Sequence, residues 1–129
     1  MPKSKKRSKN APKYQYIWNT YGDWVATKVG DYIWDLTGTW VAWVEDNEVY
    51  KVDGEWVGTL SRDSRILRKR VSRRPPLRTD IPPAPEKPDL PARAPLPPAF
   101  AELTYSEIDV LEEDPDVFKR ISDRRPDMD

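Results

Sequence analysis

Cysteine and histidine are both absent from the 129 residues of this chain. Without cysteine there is no disulfide and no thiolate, and without histidine the commonest general base and a common metal ligand are missing. The carboxylates near residues 112–116 also lack the spacing and the glycine of a calcium loop. The sequence therefore predicts a protein that is not an enzyme and that holds no metal and no cofactor.

Long apolar runs are absent as well, since no stretch approaches the roughly 18 apolar residues of a transmembrane helix. The basic residues 1–13 are not followed by the apolar segment that a secretory signal peptide requires. We therefore expect a cytoplasmic protein.

The chain is rich instead in tryptophan, proline and segregated charge. All six tryptophans lie between residues 18 and 56, where large rings can compensate for a small core. The formal net charge is zero, but residues 1–13 and 62–78 are basic whereas residues 102–129 are mainly acidic. The two kinds of stretch could attract each other, or each could attract a partner.

A sixteen-residue repeat occupies most of residues 14–70. Five columns stay in register over three copies, which indicates a repeat architecture. They are Trp18, Trp34 and Tyr50; Gly22, Gly38 and Gly54; Trp24, Trp40 and Trp56; Val25, Val41 and Val57; and Ala26, Ala42 and Gly58. A fourth copy begins with Ile66 in the column of Tyr50, but Arg70 then replaces the glycine.

Each copy predicts a hairpin, because aromatic and β-branched residues alternate with turn formers. The expected strands are 15–19, 23–29, 32–36, 39–45, 48–52, 55–61 and 64–70. The glycine column falls in the first turn, where a positive φ is often needed. Two-residue turns are expected at Gly30-Asp31, Asp46-Asn47 and Arg62-Asp63.

These features predict an all-β fold, a small shallow antiparallel meander barrel made of three hairpin copies and a partial fourth. The motif YIWDLTGTWVAW, echoed in VYKVDGEWVGTL, resembles the four-fold β-flower family over residues 14–70. The resemblance implies hairpin petals arranged around a pseudo-symmetry axis. It implies no particular biochemical activity.

The remainder of the chain predicts a linker followed by helix. Residues 71–99 are rich in proline, which favours an extended polyproline II spacer. Residues 100–123 are acidic and amphipathic, with Ser106 as the N-cap of a helix over 107–113 and Asp114-Pro115 beginning a second. Residues 1–13 and 124–129 are expected to be disordered.

The function that the sequence favours is a non-enzymatic interaction or scaffold module. The acidic segment would dock on the barrel of its own chain or on a partner protein, through Leu111, Val117, Phe118 and Ile121. Trp43 is the first candidate binding residue of the barrel, because the other two copies have threonine in its column.

Three further alternatives stay open. Nucleic acid could bind to residues 1–13 and to the basic stretch 62–78. The candidate contacts with an anionic partner are Arg65, Arg68, Lys69, Arg70, Arg73 and Arg74. Peripheral binding to anionic lipid would use the same charges. The chain could be a monomer, or an oligomer that exchanges strands through the incomplete fourth copy.

Overall fold

The strands of the computed structural model follow the repeat, and the structure describes residues 13–71 and 73–120. The strands are β1 Tyr14–Trp18, β2 Trp24–Val29, β3 Tyr32–Asp35, β4 Trp40–Glu45, β5 Glu48–Lys51, β6 Trp56–Leu60, β7 Ile66–Lys69 and β8 Glu107–Asp109. Each pairs antiparallel with the next, and the sheet of eight strands curls into a half-barrel. The predicted all-β meander is therefore confirmed.

Four hairpins make up this sheet, and we call them petals. Petals 1, 2 and 3 are β1–β2, β3–β4 and β5–β6, and petal 4 is β7–β8. In the first three petals the glycine of the first turn has a positive φ, namely 87° at Gly22, 89° at Gly38 and 96° at Gly54. Residues with a Cβ rarely adopt this conformation, which explains the glycine column of the repeat.

The valine column marks a β-bulge in each of the first three petals. In petal 2, Trp34 pairs with Trp40 but Ile33 pairs with Ala42, so Val41 has no partner residue in the ladder. The equivalent bulged residues of petals 1 and 3 are Val25 and Val57. A bulge bends its strand and increases the local twist, so three regularly spaced bulges help to curl the sheet.

The centre of the core is formed by four fully buried side chains, Ile17, Ile33, Val49 and Ile66. The first three are spaced by sixteen residues, but Ile66 follows Val49 by seventeen. Ile66 pairs with Leu60, just as Val49 pairs with the equivalent residue of petal 2. The assignment of Ile66 to the column of Tyr50 is therefore wrong.

The extra residue lies in the turn before β7. The N–H of Ser61 donates to the carbonyl of Arg65 at 2.8 Å, which encloses three residues, and Ser64 has a φ of 65°. A three-residue hairpin loop commonly ends on such a left-handed residue. The two-residue turn predicted at Arg62-Asp63 is therefore wrong, whereas Asp46 and Asn47 both have the positive φ of a tight type I′ turn.

The aromatic column that contains Trp18, Trp34 and Tyr50 covers the outside of the small core. Trp18 and Trp34 are buried, and Tyr50 is half-buried. The Nε1 atom of Trp34 has no hydrogen-bond partner within the part of the chain that the structure describes. The column therefore serves packing, as its recurrence in petals 1, 2 and 3 suggests.

Residues 73–106, which we call the strap, run over the first turns of the petals without forming a helix or a strand. The strap first meets petal 3, where the N–H of Arg78 donates to the carbonyl of Gly54 at 2.9 Å. A Cβ on Gly54 would collide with the backbone of Arg78. The chain can pass here only because that position has no side chain.

The strap then passes petals 2 and 1 in turn. The side chain of Lys87 lies against Gly38, and that of Pro97 lies against Gly22. Between these points the hydroxyl of Tyr14 donates to the carbonyl of Asp89 at 2.6 Å. The stretch that composition predicts as a spacer is thus extended, but it is held against the petals at several points.

β8 follows the strap and completes petal 4. Leu67 of β7 pairs with Asp109, and Lys69 pairs with Glu107. One helix of four residues, α1 Val110–Glu113, comes next, and the N-cap side chain of Asp109 accepts from the N–H of Leu111 at 3.1 Å.

The predicted helix over 107–113 is wrong in its first half. Without β8, the backbone N–H and C=O groups along the outer edge of β7 would lack partners, and residues 107–109 supply them. The helix begins only after this pairing ends, so Asp109 rather than Ser106 is the N-cap. Residues 115–120 form turns, where the sequence predicts a second helix.

Petal 4 meets petal 1 through buried polar side chains. The carboxylate of Asp109 accepts both the N–H and the hydroxyl of Thr20, each at 2.6 Å. Arg65 donates to the same hydroxyl at 3.0 Å and pairs with Asp63 at 2.7 Å. Arg65 and Asp109 are each 1% exposed, so this network is interior. Arg65 pairs with Asp63, and Asp109 accepts hydrogen bonds from Thr20 and the N–H of Leu111.

Candidate functional site

Petal 3 departs from petals 1 and 2 at one aromatic position. In petal 2, Tyr32 lies against Trp40 with the ring centroids 6.0 Å apart, and the same pair recurs in petal 1. The equivalent residues of petal 3 are Glu48 and Trp56. The Trp56 indole therefore has a carboxylate beside it where petals 1 and 2 have a tyrosine ring.

Glu48 holds the indole of Trp56 in place. Its carboxylate accepts the indole N–H at 2.6 Å and the hydroxyl of Thr59 at 3.2 Å. In petal 2 the indole N–H of Trp40 donates instead to the carbonyl of Ala42, at 2.8 Å. An ionised carboxylate offers about four acceptor positions, so Glu48 retains capacity for a further donor or cation.

A cavity of about 510 Å³ opens beside this pair, between petals 3 and 4. We call it the petal 3–4 pocket, and its lining combines apolar surface with charged groups of both signs. It is lined by Glu48, Trp56, Thr59, Ser61, Leu67, Arg68, Lys69 and Glu107. Its volume falls within the range of sites that hold small molecules.

The basic residues of the pocket come from β7. Lys69 is exposed and lies on the same face of the strand as Leu67. Arg68 is half-buried; burial lowers the pKa of its guanidinium, and the nearby charge of Arg74 lowers it further. Glu113 and Asp114 act in the opposite direction without cancelling the shift. The charged groups that act on Arg68 thus lie outside the lining of this pocket.

A second cavity, of about 550 Å³, lies between the strap and β8. Arg65 and Asp109 are the buried polar groups of its lining, and both already bond to the hydroxyl of Thr20. The guanidinium of Arg65 also lies 4.9 Å from the ring centroid of Phe100 and donates to the carbonyl of Ala101 at 2.8 Å. These groups fix the strap to the barrel and offer little to a ligand.

Trp43, the first binding residue predicted from the sequence, is 5% exposed and stacks on Tyr50 with ring centroids 5.3 Å apart. The guanidinium of Arg78 lies 4.8 Å from the Tyr50 centroid and bonds to Glu45 and Asp80. Its hydrogen bonds lower the pKa of Asp80 to about 2. The strap thus covers the face on which a ligand of Trp43 would lie.

The apolar residues of the C-terminal segment lie mainly inside the fold. Leu111 and Val117 are 3% and 6% exposed, and Phe118 packs against the same core cluster. The ammonium of Lys51 donates to the carbonyl of Arg120 at 2.5 Å and holds the end of the described chain. Ile121, which the sequence groups with these residues, lies outside the described residues.

The basic side chains predicted to contact an anionic partner do not form one surface. Arg65 is interior, and Arg74 pairs with Glu55 at 3.1 Å. Arg70 donates to the carbonyl of Tyr105 at 2.8 Å and lies over its ring. The rest are Arg73, which is exposed, and Arg68 and Lys69, which line the petal 3–4 pocket. Residues 1–12 of the basic N-terminal stretch lie outside the described residues.

Other classes of site find no support in the described ranges 13–71 and 73–120. They contain no cluster of three or more acidic side chains that could hold a metal ion. They also contain no helix that is both long and apolar enough to cross a membrane.

Residues 15–112 match a family model described as 4-fold beta flower protein. The chain belongs to the 4-fold beta flower family. The match covers most of the chain and includes the strap and β8. The beta flower unit therefore extends well beyond residues 14–70, the part of the sequence in which the resemblance to this family is visible. No curated protein and no solved structure matches the chain.

Sequence reasoning missed Glu48, although a signal for it was present. Tyr16, Tyr32 and Glu48 are spaced by the sixteen-residue repeat, so the glutamate is a visible departure from an aromatic column. Trp43, chosen by the same logic of departure, lies under the strap. The difference between the two positions could not be predicted, because it depends on where the strap runs.

Proposed function

We propose that this beta flower protein is a non-enzymatic binding module whose ligand site is the petal 3–4 pocket. The observation that carries the proposal is the replacement of a petal tyrosine by Glu48. Internal symmetry accounts for the aromatic pairs of petals 1 and 2, and it does not account for a carboxylate bonded to the indole of Trp56 at the wall of a cavity. Such convergent polar groups on an apolar wall are typical of ligand sites.

The other candidate partners have less support from the contacts of the described residues. Leu111 and Val117, which would contact a partner protein, lie in the core cluster. Of the basic residues that would contact nucleic acid or anionic lipid, Arg65 and Arg74 already pair with carboxylates of this chain. A cytoplasmic location remains a prediction from the sequence.

A fragment screen by NMR on the full-length, ¹⁵N-labelled protein tests the proposal. We expect charged and aromatic fragments that bind to shift the indole N–H of Trp56 and the backbone N–H of Thr59. Glu48→Tyr restores the residue of petals 1 and 2, so it should fill the pocket and abolish these shifts while the protein stays folded. Fragments that shift Trp43 instead, or that still bind to Glu48→Tyr, would contradict the assignment.

The matched control is Glu86→Gln, which removes an exposed carboxylate of the strap that does not line the pocket. It changes the net charge by the same amount as Glu48→Tyr. We expect its fragment shifts to equal those of the unchanged protein. Loss of binding in both variants would show a general charge effect and would count against a site at Glu48.

A further inference from the structure

The four charged side chains of the petal 3–4 pocket are of both signs and are not paired. Glu48 and Glu107 are acidic, and Arg68 and Lys69 are basic. None of the four forms an ion pair with any residue that the structure describes. Elsewhere in the fold, by contrast, Arg65, Arg74, Arg78 and Arg120 all pair with carboxylates. The pocket therefore keeps opposite charges available within one cavity.

From this arrangement we infer that the pocket binds a small zwitterion, with its cationic group against Trp56 and Glu48 and its anionic group towards Lys69. The inference rests on the proposed function, and it adds the chemical class of the ligand. A ligand of only one sign would meet unpaired charges of its own sign in the same cavity, whereas a zwitterion would meet a complement at each end.

The cationic end is fixed by two groups that hold each other. Indole is the aromatic side chain that attracts cations most strongly. No other ring of the described residues stacks on the indole of Trp56. The hydrogen bond from Trp56 to Glu48, at 2.6 Å, places the carboxylate at the edge of that ring. A primary ammonium in the pocket can donate to Glu48 and lie near the indole at the same time.

The anionic end is supplied by β7, at the exposed side chain of Lys69. Lys69 is paired in the ladder with Glu107 of β8, yet the ion pairs of the described residues do not include these two side chains. An anionic group of the ligand can therefore take the ammonium of Lys69 without breaking an existing pair.

Phosphoethanolamine is the probe, because it joins a primary ammonium to a phosphate by a short linker. We expect titration of the full-length protein to shift the Trp56 indole N–H, with affinity on the order of tenfold above that of ethanolamine or inorganic phosphate. Equal binding of ethanolamine would show a site for cations alone, and equal binding of phosphate a site for anions alone. Either result overturns the inference and leaves the proposed function standing.

Charge-neutral variants separate the two ends. Glu48→Gln keeps an acceptor for the Trp56 N–H but removes the negative charge, and Lys69→Gln removes the positive one. Each should weaken phosphoethanolamine on the order of tenfold, whereas Glu86→Gln and Arg93→Gln, at exposed strap positions, should not. If Glu48→Gln fails to fold, Lys69→Gln, at an exposed side chain, carries the test alone. Unchanged affinity in both pocket variants would overturn the inference.

The same chemistry occurs in a free metabolite and in a lipid headgroup, and vesicles distinguish the two. Binding to phosphatidylcholine vesicles that contain phosphatidylethanolamine, with sensitivity to Glu48→Gln, would assign the headgroup. Binding of phosphoethanolamine without vesicle binding would assign a free ligand. If none of the probes binds while other fragments still shift Trp56, the zwitterion inference fails and the proposed function survives. If no fragment reaches Trp56, both fail.

Discussion

The backbone of Arg78 occupies the space into which a Cβ on Gly54 would project. Gly54→Ala must therefore displace the strap as well as place alanine at a φ of 96°. We expect it to lower the free energy of unfolding by about 3 kcal/mol, since it combines backbone strain with the loss of a packed contact. Urea unfolding measures the loss, and faster tryptic cleavage after Arg78 or Arg93 reports the displaced strap.

The control for this variant is Gly30→Ala. Gly30 also has a positive φ, of 62°, but nothing lies within 4 Å of the position of its Cβ. Only the strain of the left-handed backbone remains, about 1 to 2 kcal/mol. Equal losses for the two variants, or an unchanged cleavage rate in Gly54→Ala, would show that the strap does not rest on petal 3 in solution.

Leu111 and Leu96 test whether the C-terminal segment belongs to the fold. Leu111 is 3% exposed in the core cluster, whereas Leu96 is 91% exposed on the strap. Leu111→Ala should cost about 2 to 5 kcal/mol, because it leaves a cavity, and Leu96→Ala less than about 0.5 kcal/mol. Urea unfolding monitored by tryptophan fluorescence compares them. Similar small costs would mean that the segment is not docked on the barrel in solution.

The repeat could be predicted from the sequence because each of its columns has a local physical cause. Gly38 is needed for a positive φ, and Val41 occupies a bulge. Such causes recur with every copy and leave a periodic trace. The extra residue before Ile66, which breaks the period, could not be recognised in this way, because Ser64 replaces the usual glycine or asparagine of a left-handed turn position.

β8 and the path of the strap could not be predicted in the same way, because both depend on tertiary contacts. Residues 107–109 form a strand since β7 presents an open edge to them, although the stretch has no strong preference for strand. The path of the strap depends on how the glycine turns are spaced around the half-barrel. The petal 3–4 pocket needs both, because Glu107 of β8 completes its lining. Among the residues that line this pocket, only Glu48 could be recognised from the repeat, as a departure from the tyrosine column.

Thr20 tests the joint between petals 1 and 4. Its hydroxyl accepts from Arg65 and donates to Asp109, two groups that are each 1% exposed. Thr20→Val keeps the shape and removes the bridge, so it should cost about 1 to 3 kcal/mol by leaving buried polar groups unsatisfied. Thr37→Val, which removes an exposed hydroxyl bonded to Asp35, is the control and should cost less. Urea unfolding compares the two variants. Equal losses in the free energy of unfolding would show that the bridge does not hold petals 1 and 4 together.

Asp63 should make stability depend on pH in the acid range. Burial raises the pKa of its carboxyl, but hydrogen bonds from Arg65, Ser61 and the N–H of Ala101 outweigh that effect and hold the pKa at about 2. The unfolded chain has a value of about 3.9. Because the folded pKa is the lower one, the stabilisation is fully present above about pH 4 and is lost as the pH falls towards about 2.

Asp63→Asn removes this contribution, which the size of the shift puts on the order of 2 kcal/mol. The unchanged protein should therefore be more stable than Asp63→Asn at about pH 5, and that part of the gap should close as the pH falls towards about 2. Urea unfolding at a series of pH values measures the gap. Asp31→Asn, in an exposed turn, controls for the loss of a carboxylate. A gap that stays constant with pH would show that Asp63 acts through its hydrogen bonds alone and that its carboxyl does not titrate with folding.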